Sequence, residues 1–441
     1  MIFELNVRVY GKAFNEITDA ELQAWADLGF DWLWLMGIWR ISPAGRLISK
    51  QMAADYEGSP YALLDYTVNP DLGGESAFQD LVVRAHKIGL KIMADFIPNH
   101  MAVDSPLIYE QPDYFIHSNP GLRNERPRDY FMHGSGRYLA HGRDPYFAGW
   151  EDTVQLDYVN PDLRNHQIKS QWFPNADQSA FDLFMPNEFW PEAIAAVKKL
   201  RPDFIFMAEV YWDKEEYLQE LGFDLTYDKK FYDLLLAGKS ENVLSYLQTT
   251  PNYYLAHTVH FLENHDEHRA MAQFGVRSLA CAVLSYSILG MPFVYQGQME
   301  GFQEKLPVQR LHPLDIEVAD KKLQTVYQQL LSIIREPIFR QGEMLTLDLQ
   351  QGIILVRRCY EGRTILIGAD IVNAPHNSSI VLAIPISSLA LPADKSFTGL
   401  DLWSGEIATA ISCNNGHLNI PLASLSSWGQ VAAFLIELFI A

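Results

Sequence analysis

The sequence predicts an α/β protein: a (β/α)8 TIM barrel with an inserted loop domain after strand three and a C-terminal antiparallel β domain. Three observations carry this expectation. Short apolar strands alternate with amphipathic helical stretches through the first part of the chain, which points to a parallel sheet covered by helices. Residues 101–155 interrupt that rhythm with Pro, Gly, His, Arg and Tyr and little helical period. Residues 341–441 change texture again, to short β-like runs separated by turns.

Taken in order, IFELNVR reads as the opening strand. TDAELQAWADLG begins at an N-cap threonine, Thr18, and stops at Gly29, so it carries both helix signals. DWLWLMGIW is the second strand, SAFQDLVVRAHKIG an amphipathic helix, and KIMADFI a third strand ended by Pro98. After the interruption come a strand at SAFDLF, the helix PEAIAAVKKL, and strands at FIFMAEV and GFDLTYD. HTVHFLEN, the helix RSLACAVLSYSILG and PFVYQ complete the eight-strand set. A doubly wound open sheet is the competing architecture. It would want G-x-G-x-x-G after its first strand, and NVRVYGKAFN does not supply it. MLTLDL, GIILVRR, TILIGADI, SIVLAIP and QVAAFLIE then read as an antiparallel β-sandwich. The domain reading is residues 1–340 for the barrel, containing the inserted 101–155, and 341–441 for the sandwich.

A chain of 441 residues is long enough for this architecture. Its net charge of −20 argues against nucleic acid and anionic membrane surfaces as partners, since both select basic patches. The three cysteines, Cys281, Cys359 and Cys413, lie far apart and form neither a disulfide framework nor a metal-ligand spacing. MIFELNVRVYG lacks the basic leader of a signal peptide, and VAAFLIELFIA is short for a bilayer span and carries Glu437. A cytoplasmic location is the expectation. Oligomeric state has no signature in the sequence.

Acidic residues gather at the carboxyl ends of the predicted strands, the face where barrels build their sites. Asp182 lies in SAFDLF, and Glu209 ends FIFMAE. Asn264, His265 and Asp266 follow HTVHFLE, and Asp95 leads from KIMADFI into Asn99 and His100. Three carboxylates without a basic cluster suit glycosidic bond cleavage. One attacks or steadies a cationic sugar carbon, one stays protonated to deliver a proton, and a third binds ring hydroxyls and raises the acid's pKa. Metal-dependent hydrolysis would favour two histidines on one helix face, and that pattern is missing.

Over residues 1 to 300 the chain resembles the α-amylase family of glycoside hydrolases. DFIPNH at 95–100 resembles that family's D-x-x-x-N-H motif, AEVYW at 208–212 its acid/base strand, and LENHDEHR at 262–269 its N-H-D motif. SPYALLDYTVNPDLGG at 59–74 resembles the segment that supplies a stacking tyrosine, and GMPFVYQGQ at 290–298 the eighth strand. The resemblance implies Asp182 as nucleophile, Glu209 as general acid/base and Asp266 as transition-state stabiliser. It implies that His100 and His265 hydrogen-bond the cleaved sugar and that Tyr61 stacks on it, with Asp95 and Asn264 as further binding residues. The implied substrate is an α-glucan or maltooligosaccharide. No organic cofactor is implied. Calcium is held in some members, and Asn99, with Asp157 in QLDYVNPDL, would be its ligands here.

Around the nucleophile the family pattern is G-[FVW]-R-x-D, and this chain reads Gln178-Ser179-Ala180-Phe181-Asp182. Residues two apart on a strand share a face, so an arginine at 180 would hydrogen-bond the carboxylate and hold its pKa down. Ala180 does neither. Three readings stay open: another cation such as Arg269 fills the gap, the site is active but slowed, or the chain binds glucan without cleaving it. Three and four residues past Asp182, many starch-hydrolysing members carry Lys-His where this chain has Met185-Pro186. The leaving-group side therefore differs, and a sugar acceptor (glucanotransfer) stays open beside water.

Overall fold

A computed structural model of the protein describes residues 1–144, 148–169, 188–211, 213–312, 317–372, 380–392, 394–408, 410–425 and 432–441. Seven parallel strands form one curled sheet: β1 (Ile2–Asn6), β2 (Trp32–Met36), β3 (Lys91–Ala94), β4 (Met207–Ala208), β5 (Leu225–Tyr227), β6 (Thr258–His260) and β7 (Met291–Tyr295). Their spatial order is β4-β5-β6-β7-β1-β2-β3. The last strand pairs with the first, Phe293 opposite Ile2 and Tyr295 opposite Glu4, which is the strand order a barrel requires. The two sheet edges are β3 and β4. SAFDLF at 179–184, the predicted fourth strand with Ala180 and Asp182, belongs to the chain between them and lies outside the described residues.

Local chemistry accounts for the elements. Asp19–Asp27 is a helix with a full capping box: Thr18 accepts from the Glu21 backbone and Glu21 accepts from the Thr18 backbone. The opening strand is shorter than IFELNVR suggests. Asn6 accepts from the Val9 N–H and turns Val7–Tyr10 into a single helical turn closed by Gly11 in the left-handed region. DWLWLMGIW likewise splits at Gly37 into Trp32–Met36 and Trp39–Ile41. The inserted segment is held by two small antiparallel pairs, His100–Ala102 with Thr153–Gln155 and Tyr130–Met132 with Tyr138–Ala140.

After the barrel, a six-stranded antiparallel sheet running from Glu343–Gln350 to Ala433–Ile440 faces a three-stranded sheet of Val381–Pro385, His417–Pro421 and Ser412–Asn414. The strand Ile353–Tyr360 shows the alternation that joins the layers. Ile353 and Leu355 pack into the core between the two sheets. Ile354 and Val356 pack into the barrel's core. Arg358 follows on that second face, fully buried, and donates to the carbonyls of Ser287 (3.3 Å), Phe339 (2.5 Å) and Gly342 (3.1 Å). Among the described residues, no helix is long and apolar enough to cross a membrane.

Candidate active site

Tyr61, Asp95, His100, Glu209, His265 and Asp266 line one cleft at the carboxyl ends of the barrel strands. The elements that place them are short. Glu209 directly follows β4, and Asp95 directly follows β3. His265 and Asp266 sit on the turn beyond β6, shaped by Asn264, whose side-chain oxygen accepts from the backbone of Asp266 (2.9 Å) and Glu267 (2.7 Å). Asn264 is fully buried. The structure therefore gives it the work of an Asx-turn, and its oxygen is not offered to a ligand.

Glu209, His265 and Asp266 converge. One oxygen of each acid and a ring nitrogen of His265 lie within 4.8 Å of one another. His265 Nε2 stands 3.9 Å from Glu209 and 3.6 Å from Asp266. Its other nitrogen, Nδ1, is 2.6 Å from Glu4 on β1. Three carboxylates around one ring favour its protonated form, and they hold the His265 pKa well above the usual histidine range against the cost of burial. A divalent ion among these groups would need the Nε2 lone pair, which that field gives to a proton. The trio suits hydroxyl groups better than a metal.

Burial pushes Glu209 up to about 7, with the like charge of Asp266 adding and the His265 cation opposing. The Tyr211 hydroxyl donates to Glu209 at 2.7 Å. A carboxyl that holds its proton near neutrality is what a general acid requires. Tyr61 places its ring 5.5 Å from that of His265, and its buried hydroxyl has no partner among the described residues. An aromatic face and a free hydroxyl at this point fit a sugar ring with its C–H faces and edge hydroxyls.

Asp95 and His100 are committed differently from the expectation. The Asp95 carboxylate accepts from Trp34 Nε1 (2.9 Å) and from the Gly37 N–H (2.5 Å), and its carbonyl accepts from Trp39 Nε1 (2.7 Å). Gly37 reaches it from φ 80°, a left-handed conformation that glycine adopts without strain. Burial raises Asp95 to about 6. His100 Nε2 contacts the Tyr61 carbonyl at 3.1 Å and Nδ1 the Asn99 amide at 3.2 Å, and burial lowers the ring to about 4, so it is neutral. Both residues brace the cleft wall. The His100 ring lies 5.2 Å from that of Trp150, which the inserted segment extends into the cleft 38% exposed.

Asn99 and Asp157 do not fit a calcium ion. The Asn99 carbonyl accepts from Leu156 N (3.1 Å) and Gln155 Nε2 (2.7 Å), and its side-chain oxygen accepts from the same Gln155 amide (2.8 Å). An Asp157 carboxylate oxygen accepts from Val159 N (3.0 Å). A cation would have to displace the Gln155 amide from both Asn99 oxygens, which leaves one Asp157 carboxylate oxygen as a poor basis for a site. EDTA is accordingly expected to leave the thermal unfolding midpoint unchanged. Gln155→Leu should lower stability by about 1–3 kcal/mol for each buried polar group it strands, read by thermal unfolding. Arg269 is no free cation either: it pairs with Glu263 (3.0 Å), donates to the Gln296 carbonyl (2.9 Å) and lies over Tyr295 (4.8 Å).

Sequence reasoning passed over Glu4, Tyr211 and Gln155. Glu4 had a signal, a lone acid among the apolar residues that open the strand IFELN. The predicted Asp182 and Ala180 lie outside the described residues.

A model of the alpha-amylase catalytic domain matches residues 16–157 and 154–341. Alpha-amylase 3 of Dictyoglomus thermophilum is 24% identical over 327 residues, covering 65% of this chain and 60% of the relative. A cyclomaltodextrinase of Thermoanaerobacter pseudethanolicus is 22% identical over 330 residues, covering 68% of this chain and 56% of the relative. The chain thus spans three-fifths or less of the length of these curated relatives. In fold, it is similar to the crystal structure of a maltogenic alpha-amylase, AmyB, from Thermotoga neapolitana. That likeness has a TM-score of 0.74 and 22% identity, and covers 100% of this chain and 98% of the other.

Proposed function

We propose, from the premise that this chain belongs to the alpha-amylase family, that it cleaves the α-glucosidic bonds of α-glucans or maltooligosaccharides with retention of configuration. The observation that supports this most is a Glu209 raised to about 7 that shares His265 with Asp266. In the proposed reaction Glu209 protonates the glycosidic oxygen as the C–O bond breaks. Asp182 attacks the anomeric carbon and forms a glycosyl-enzyme through an oxocarbenium-like transition state. Glu209, now a carboxylate, takes a proton from water as that water displaces Asp182. Asp266 and the His265 N–H hold the hydroxyls of the same ring, and Tyr61 lies against its face. Ala180 leaves Asp182 without the arginine that would orient it, so turnover is expected to be slow for the fold.

Proton NMR of the first product formed from a maltooligosaccharide tests the reading. The α-anomer should appear before mutarotation, and Asp182→Asn should abolish its formation. A first-formed β-anomer, or no cleavage of any α-glucan by the intact protein, would contradict it. Longer products at high substrate concentration would show a sugar acting as acceptor in place of water.

A further inference from the structure

Glu4 is a fully buried carboxylate near the middle of β1. Removing a carboxylate from water costs several kcal/mol unless a partner compensates. The side chain that meets it is His265, through Nδ1 at 2.6 Å, and its second oxygen has no partner among the described residues. A core position facing Trp34 on one neighbour and Tyr295 on the other would be filled at less cost by an apolar side chain. The acid therefore needs a reason beyond packing, and its geometry supplies one. It grips the far end of a ring whose near end faces both cleft acids.

We propose that Glu4 is a positioning residue: it fixes the orientation of His265 and keeps both ring nitrogens protonated, so that Nε2–H is held out as a donor to a sugar hydroxyl between Glu209 and Asp266. This rests on the glycosidase reading above. The surroundings of His265 favour it from every side. Glu4 faces it from β1, Glu209 from the end of β4, Asp266 from its own turn, and Asp95 acts on it from the end of β3. Trp34 from β2 presents an uncharged ring at 5.7 Å and 88°, and the Tyr61 ring closes another side. Tyr211 and Tyr227 are uncharged phenols whose ionisation burial suppresses. Lys305 donates to the Asp266 carbonyl. A neutral imidazole bound through Nδ1–H would offer a bare Nε2 lone pair toward the Asp266 carboxylate 3.6 Å away, which repels it. The imidazolium offers a proton to whatever lies between Glu209 and Asp266.

Glu4→Gln separates charge from shape, because glutamine can still accept from Nδ1. In the intact protein, nitrogen-15 NMR should show both His265 nitrogens protonated at neutral pH. In Glu4→Gln the ring should lose its proton at a clearly lower pH. On a maltooligosaccharide that variant should lose about tenfold to a hundredfold in kcat with little change in KM. Its alkaline limb should move to higher pH, since the cation that draws the Glu209 proton away is gone. A neutral His265 at pH 7 in the intact protein overturns the proposal without any variant. So does a folded Glu4→Gln with unaltered ring titration, kcat and pH profile. If the intact protein cleaves no α-glucan, the glycosidase reading fails, while the ring titration still judges the Glu4–His265 pair.

Discussion

Replacing Glu209 with glutamine is expected to lower kcat on a maltooligosaccharide by about 10²–10⁴-fold with the fold intact. Glutamine matches the shape and keeps a partner for Tyr211, so what is lost is the transferable proton. The defect should shrink on an aryl α-glucoside with an acidic phenol, because that leaving group departs without protonation. The pH profile carries the sign. The acid must be protonated to act, and burial sets it at about 7, so kcat/KM should fall as pH rises through that value. In Glu209→Gln that alkaline limb should vanish. Asp266→Asn removes the like charge that helps hold the proton on Glu209, so any residual activity should show the limb moved to lower pH.

The second large effect is on stability. Arg358→Leu should lower the free energy of unfolding by about 1–3 kcal/mol for each carbonyl it strands. Three carbonyls depend on it: Ser287 at the end of the helix Ser278–Ser287, and Phe339 and Gly342 in the turn that leads into the C-terminal sheet. Burial lowers the guanidinium to about 10, which leaves it charged at neutral pH. Domains are stable by only about 5–15 kcal/mol, so the loss is a large fraction of the total. Urea unfolding followed by tryptophan fluorescence should show an earlier transition. None of the three residues it donates to lines the cleft, so activity per folded molecule should be kept. An unchanged midpoint would mean that water satisfies the carbonyls.

The barrel was legible because its signals are local. Period-two apolar runs, the Thr18 cap and the Gly29 stop are each written within a few residues. Among the described residues the acids were legible as a class, since Asp95, Glu209 and Asp266 each follow the end of a strand. What each acid does was not legible, because it depends on partners far away in the chain. Asp95 is consumed by Trp34 and Gly37, some 60 residues earlier. Asn99 is consumed by Gln155, 56 residues later. Glu4 and His265 meet across 261 residues, through the pairing of β7 with β1. The helix Pro43–Met52 was missed although Ser42 and Pro43 announce it as N-cap and first residue. Val7–Tyr10 was absorbed into the first strand because its residues continue the β pattern past the Asn6 cap that turns them into a helical turn.

Azide rescue of Glu209→Ala tests the central claim most directly. With an activated aryl α-glucoside the variant should still form its glycosyl-enzyme but stall, lacking a base for water. Azide needs no base, so it should restore turnover and yield the α-configured glucosyl azide. A β-configured azide would make Glu209 the nucleophile, and turnover of the variant equal to that of the intact protein on maltooligosaccharide would take Glu209 out of the chemistry.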